Sequence, residues 1–234
     1  FFDIGQSRSL PWKRRPEASR LLEVLSSAER GFDAVVIGEG ERITVELLKM
    51  WQNDACHPLV GAHVRNSETG DVYVSNERQP VEDLDTLPFP AWDLVDMEAY
   101  FDAWGQLDSV APGLRGVNIT ASRGCPFSCT FCQPVLDKIF GRKLRQRTPQ
   151  SVVAELIELK RLYDIEAYWF TDDTFTTNRR WVEAFCDAME ESGLDLIFGC
   201  TTRANLIPED MMQRMVSVGL RKIGIGLESA TDHI

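Results

Sequence analysis

Three cysteines, Cys125, Cys129 and Cys132, stand at C-x₃-C-x₂-C within Ser122-Arg123-Gly124-Cys125-Pro126-Phe127-Ser128-Cys129-Thr130-Phe131-Cys132. Thiolates are soft donors suited to iron–sulfur clusters, and such short spacings let one loop wrap one cluster. A cubane has four irons, so three thiolates leave one iron open to a substrate or cofactor. Zinc is the competing metal, but structural zinc usually takes four ligands, often from two separated pairs, and the chain has no second knuckle. The other cysteines, Cys56, Cys186 and Cys200, are scattered and read as ordinary core or surface thiols.

A loop of ligands needs a rigid base. The β-branched run from Gly116 to Ala121 is a strand, and the cysteines leave its C-terminal end. From residue 114 onward strand and helix patterns alternate, the mark of βα units and a parallel sheet. Further strands are predicted at about 167–171, 195–201 and 221–227. Thr148-Pro149 predicts an N-cap and first helical position, followed by the apolar positions Val152, Val153, Leu156, Leu159 and Tyr163. Asn178 predicts the cap of a second helix that stops near Gly193, and Pro208 opens a third that closes at Gly219. On the last strand Ile223, Ile225 and Leu227 alternate with Gly224, Gly226 and Glu228, which predicts an apolar face on the helices and an open face opposite. Ligands of α/β sheets bind at the carboxyl ends of strands. The cysteine loop, Asp172-Asp173, Arg203 and Glu228 all fall on that rim. Plainer roles are open for each: Asp172 or Asp173 as a turn cap, Arg203 and Glu228 as a structural ion pair. The basic run Arg142-Lys143-Leu144-Arg145-Gln146-Arg147 reads as a solvated loop.

Upstream, residues 1–51 read as a small α/β piece. It comprises a weak strand at Phe2–Ile4, a basic loop from Ser7 to Arg15 and a helix over Pro16–Ala28. A buried, parallel-type strand at Ala34–Ile37 follows, then a helix through Val45, Leu47, Leu48 and Trp51. Residues 52–113 read as a connector with a hairpin around Glu68-Thr69-Gly70-Asp71 and an extended Pro88-Phe89-Pro90 segment. The aromatics of the segment from 81 to 92, Phe89 and Trp92, are expected to pack on the domain of residues 114–234, and Tyr100, Phe101 and Trp104 follow in a short helix or loop. His57 and His63 read as loop or strand residues without a ligand role.

Composition narrows the function. A formal charge of −11 over 234 residues argues against broad nucleic-acid binding, which needs phosphate neutralisation. No apolar run approaches the roughly 18 residues that cross a bilayer, and the first residues are not a signal-peptide core. Six cysteines without a secretion signal do not read as a disulfide scaffold. A reducing cytoplasm is expected.

The cysteine spacing, the strand before it and the βα rhythm after it resemble the radical S-adenosylmethionine (radical SAM) superfamily. Over about residues 35–234 the resemblance is to the subfamily whose barrel follows a cobalamin-binding domain: Val35-Val36-Ile37-Gly38-Glu39-Gly40-Glu41 and the Pro-rich linker match it. The fold class it implies is α/β, a partial, four-strand (β/α) barrel preceded by a small α/β remnant and an irregular linker. It implies a [4Fe–4S] cluster on Cys125, Cys129 and Cys132, with S-adenosylmethionine chelated to the fourth iron and cleaved to a 5′-deoxyadenosyl radical. It assigns Phe131 to the adenine, and Asp172, Arg203 and Glu228 to the methionine and ribose parts. It implies a small-molecule, natural-product-type substrate, an electron donor such as flavodoxin or ferredoxin, and methyl transfer among the reactions open to it. Cobalamin enters as a further cofactor of the subfamily. The D-x-H-x-x-G loop that would supply its histidine is not matched by Asp54-Ala55-Cys56-His57. Barrels of this family generally have six βα units, so four strands before Ile234 are expected of a truncation, a fragment or a fusion. Residues 1–42 also resemble the catalytic domain of serine recombinases, with Arg15 and Arg42 at the phosphate-binding positions and no nucleophile-bearing strand. A DNA-processing protein and a cluster-binding fragment without turnover are therefore the alternatives.

Overall fold

A computed structural model of the chain describes residues 32–75, 77–107, 110–129, 132 and 139–227. The strand, loop and helix expected before residue 31, Arg15, Phe131 and Glu228 lie outside the described residues. The chain divides into two compact units, Phe1–Pro80 and Val81–Ile234.

In the first unit, strand β1 (Ala34–Val36) leads to helix α1 (Glu41–Gln52), and strands β2 (Ala62–Arg65) and β3 (Val72–Tyr73) complete a three-stranded sheet. Asn66 builds the hairpin turn: its side-chain oxygen accepts from the amides of Glu68 and Thr69, and Gly70 supplies a positive φ. The hairpin expected there is present. Two details of the sequence reading are corrected. β1 is half-buried and antiparallel to β2, with Ala34 opposite Val64 and Val36 opposite Ala62. After α1 and the loop that follows it the chain enters β2 beside the end of β1, where the Ile37 amide donates to Gly61 O, and runs back along it. α1 buries Ile43, Leu47 and Met50, one helical face, against Ala62 and Val64. Val45, Leu48 and Trp51 lie exposed on the other side. His57 is an exposed loop residue. His63 is buried in β2, where its Nδ1 accepts the Ser75 amide and burial lowers its pKa.

The second unit opens with two 3₁₀ turns, Leu84–Thr86 and Trp92–Leu94, on either side of Pro88 and Pro90, and then helix α2 (Met97–Leu107). Strand β4 (Gly116–Ile119) follows, then two short strands, β5 (Ser122–Arg123) and β6 (Arg145–Gln146). Helix α3 (Pro149–Tyr163), strand β7 (Ala167–Phe170), helix α4 (Arg179–Ser192), strand β8 (Ile197–Thr202), helix α5 (Glu209–Ser217) and strand β9 (Leu220–Ile225) complete it. β4, β7, β8 and β9 form one parallel sheet in chain order. The helix starts are those the sequence predicts. The Thr148 hydroxyl accepts the Ser151 amide ahead of Pro149, and the Asn178 side chain accepts the Trp181 amide. Gly193 ends α4 in the left-handed region.

One face of the sheet, Val117, Ile119, Tyr168, Phe170, Phe198 and Cys200, packs with Leu156, Leu159, Val182, Phe185 and Met189 from α3 and α4. The rings of Phe170, Phe175, Phe185 and Phe198 contact one another at stacked and edge-on angles. The opposite face is kept low by glycine: a Cβ on Gly116 would collide with the Trp104 ring, and one on Gly199 with the Trp169 ring. α2 covers the free edge of β4. There the Asn118 amide donates to the Tyr100 hydroxyl, and Trp104 Nε1 donates to Asn118 Oδ1 at 2.9 Å. On β9 the expected apolar face is only partly formed. Ile223 packs on the core, but Ile225 and Leu227 are exposed, because α5 ends at Ser217 and no described helix follows β9 to cover them. No described helix is long and apolar enough to cross a membrane.

Candidate functional site

The loop bearing the cysteines leaves the sheet through a narrow neck. β5 and β6 pair antiparallel, Ser122 opposite Gln146 and Arg123 opposite Arg145, and the Arg147 amide donates to Ala121 O at 2.8 Å. Immediately beyond, Gly124 adopts φ +89°, and any Cβ there would collide with the backbone oxygen of Lys143. Only glycine lets the two sides of the neck approach this closely. The neck therefore returns the chain to α3 within hydrogen-bonding distance of where it left β4.

Cys125 and Cys129 are half-buried, Cys132 is exposed, and all three are free thiols. The Cys132 amide donates to Cys129 O at 3.2 Å, and Cys125 Sγ lies 4.0 Å from Thr174 Oγ1 on the loop after β7. Among the described residues no three His, Cys, Asp or Glu side chains converge on a single metal ion. A cubane does not ask for that convergence, since each thiolate binds a different iron. Three free thiols on one clasped loop are donors of the kind an iron–sulfur cluster takes.

Arg203 follows β8, and its guanidinium carbon lies 4.3 Å from the centroid of the Phe127 ring, inside the cysteine motif. No described carboxylate pairs with it, and its guanidinium makes no hydrogen bond to a described residue. The flat face is spent on the ring, so the N–H edge remains for a ligand. Asp172 follows β7 and is 3% exposed. Its Oδ2 accepts the Ala121 amide at 3.0 Å and its Oδ1 accepts the Ser122 hydroxyl. Burial pushes its carboxyl up to about 6 against these hydrogen bonds. The structure thus brings the cysteine loop, Asp172 and Arg203 to one end of the sheet.

The basic run is not the solvated loop that its composition predicts. Lys143 pairs at the surface with Glu82, but Arg145 is buried and donates to the carbonyls of Val81 and Phe140. Arg147 pairs with Glu155 at 2.5 Å and donates to Thr120 O and Ser151 O. Trp92 Nε1 also donates to Glu155, and the Phe89 ring lies 5.4 Å from the Arg147 cation. Both arginines brace the exit of the neck, a role that a run of charges in sequence does not signal.

Residues 119–234 match the family model described as the radical SAM superfamily. The chain is 32% identical over 203 residues to an uncharacterized methyltransferase of Pyrococcus horikoshii, covering 86% of this chain and 41% of that protein. It is 30% identical over 152 residues to the cytidylyl-2-hydroxyethylphosphonate methyltransferase of Streptomyces wedmorensis, covering 65% of this chain and 28% of that protein. The structure of the cobalamin-dependent S-adenosylmethionine radical enzyme OxsB superposes with a TM-score of 0.67 at 20% identity, over 88% of this chain and 30% of that one. The chain spans less than half the length of each. With its parallel sheet and its three-thiol loop at the carboxyl end of the first strand, the chain belongs to the radical SAM superfamily through residues 119–234, as a four-strand part of the (β/α) barrel.

Proposed function

We propose that this chain carries the cluster and cofactor site of a radical SAM enzyme whose reaction is methyl transfer. The observation that carries the reading is the clasped loop with three free thiols, whose Phe127 lies against the guanidinium of Arg203 at the end of a parallel sheet, a cation that no described carboxylate pairs. Cys125, Cys129 and Cys132 would hold a [4Fe–4S] cluster, which supplies, when bound, the electron for reductive cleavage of S-adenosylmethionine. Arg203 would hold the carboxylate of S-adenosylmethionine through its N–H edge, oriented by Phe127. Phe131 is proposed for the adenine and Glu228 for the ammonium or ribose hydroxyls. The family resemblance gives Asp172 to the same cofactor, but its carboxylate is turned onto Ala121 and Ser122 at the base of the loop.

Both named methyltransferase relatives support methyl transfer, and OxsB supports cobalamin as the further cofactor of the whole protein. The described residues offer cobalamin no evident cobalt ligand: His57 lies in an exposed loop and His63 is buried within β2. A small-molecule substrate, an electron donor of the flavodoxin or ferredoxin type and a cytoplasmic location complete the reading. Anaerobic reconstitution with iron and sulfide is the test. A brown protein that converts S-adenosylmethionine to 5′-deoxyadenosine or a methylated product is expected, and Cys125→Ala, Cys129→Ala or Cys132→Ala should each abolish the colour. Iron content unchanged in those variants would overturn the assignment. A cluster that binds S-adenosylmethionine without cleaving it under strong reductant would favour a binding role.

A further inference from the structure

The parallel ladder between β4 and β7 runs from Gly116 opposite Ala167 to Ile119 opposite Phe170, and the Thr171 amide adds one more bond to Ile119 O. Beyond that point a side chain takes over from the backbone. Asp172 accepts from the Ala121 amide and the Ser122 hydroxyl, the two residues that lead from β4 into the neck. A carboxylate is acceptor-only, so it holds both donors in one orientation. Burying it is expensive unless its oxygens are satisfied, and no described cation pairs with it. Its two side-chain-to-neck bonds sit three and four residues before Cys125. On the far side, the close approach of Gly124 to Lys143 and the β5–β6 pairing leave the neck no room to reorient by itself.

We propose that Asp172 is a positioning residue of the cysteine loop: its carboxylate fixes the direction in which the neck leaves β4, and it acts on the cluster only through Ala121 and Ser122. The second part rests on the reading that the loop holds a cluster; the first does not. The resemblance to the family assigns Asp172 to the cofactor itself, so the two roles can be separated by measurement.

The variants are Asp172→Ala, Asp172→Asn and Ser122→Ala in the whole chain, first metal-free and then reconstituted anaerobically. In the metal-free protein, amide hydrogen exchange at residues 121–124 should quicken at least tenfold in Asp172→Ala. Ser122→Ala should show a smaller increase, and Asp172→Asn, which keeps an acceptor for Ala121, the smallest. After reconstitution, iron per chain should fall by half or more in Asp172→Ala, with an altered electron paramagnetic resonance signal of the remaining reduced cluster. Should Asp172→Ala not fold, Ser122→Ala carries the same comparison, since it removes one donor and little volume. Exchange at 121–124 unchanged in both Asp172→Ala and Ser122→Ala would overturn the proposal. So would an Asp172→Asn protein with normal exchange and iron but a tenfold weaker affinity for S-adenosylmethionine, the signature of direct contact. If the unaltered protein takes up no iron, the cluster reading fails while hydrogen exchange still decides the role of Asp172.

Discussion

Arg203 and Phe127 come from separate parts of the second unit, one after β8 and one within the cysteine motif, and the guanidinium carbon sits 4.3 Å from the ring centroid. The stack ties the end of β8 to the loop that carries the thiols, and it orients the fork that would bind a carboxylate. Lysine keeps the charge but has neither the plane nor the fork. Arg203→Lys is therefore expected to weaken S-adenosylmethionine binding about 10- to 100-fold, the loss of roughly 1.5–3 kcal/mol that a charged hydrogen-bonding pair contributes. Phe127→Leu, which leaves the fork but removes its support, should weaken it several-fold. Calorimetric titration of the reconstituted protein checks both, and an unchanged affinity in Arg203→Lys would exclude Arg203 from the cofactor site.

Gly124 and Gly141 both adopt positive φ, but only Gly124 is also hemmed in, by the Lys143 carbonyl. A Cβ at Gly141 meets nothing within 4 Å. Gly141→Ala should cost about 1 kcal/mol for the backbone conformation alone. Gly124→Ala should cost about 3 kcal/mol or more, because φ strain and a backbone collision add. Urea unfolding of the two variants compares them directly; equal losses would mean that the neck can widen without penalty.

The parts of the fold written in local chemistry could be read before any coordinates. Thr148-Pro149 and Asn178 cap helices with their own side chains, Gly193 stops one, and the apolar strands alternate with them. The cysteine loop and its rim were legible for the same reason, since spacing and strand ends are local facts. What could not be read depends on tertiary neighbours. The β5–β6 neck is two residues on each side, too short for any periodic pattern. The direction of β1 follows from where the chain returns after α1, and the exposure of Ile225 from the absence of a described helix over it. Arg145 and Arg147 were misread because a charge run ordinarily marks solvent, whereas here carbonyls, Glu155 and aromatic rings surround them. Asp172 was placed on the correct rim, but nothing in the sequence tells that its carboxylate meets the preceding neck.

The Arg147–Glu155 pair carries a prediction about the brace. The Glu155 side chain is 2% exposed and Arg147 12%, and Trp92 Nε1 also donates to Glu155. Glu155→Ala would leave a buried cation and an indole N–H without that acceptor, a loss of about 3–5 kcal/mol. Replacing both partners by Met at 147 and Leu at 155 should cost far less than the sum of the single changes, since no charge is left stranded. Urea midpoints of the two singles and the double provide the coupling energy, and strict additivity would show that the pair is not a unit.

The last prediction concerns pH. Asp172 titrates at about 6 in the folded chain, against an ordinary value of 3.8, chiefly because it is buried. Between these two values the folded chain keeps a proton that the unfolded chain has released. The contribution of this group to stability is therefore greatest below the unfolded value and is lost as pH rises through the folded one. The full gap corresponds to on the order of 3 kcal/mol. Asp172→Asn resembles the protonated acid and cannot ionise, so the pH dependence belonging to this site should vanish in it while that of every other carboxylate stays. Lowering the pH from 7 to 5 should then stabilise the unaltered protein relative to Asp172→Asn by roughly 1 kcal/mol. Urea unfolding of both at the two pH values measures it, and a difference between them that does not change with pH would mean that the carboxylate is not buried against Ala121 and Ser122.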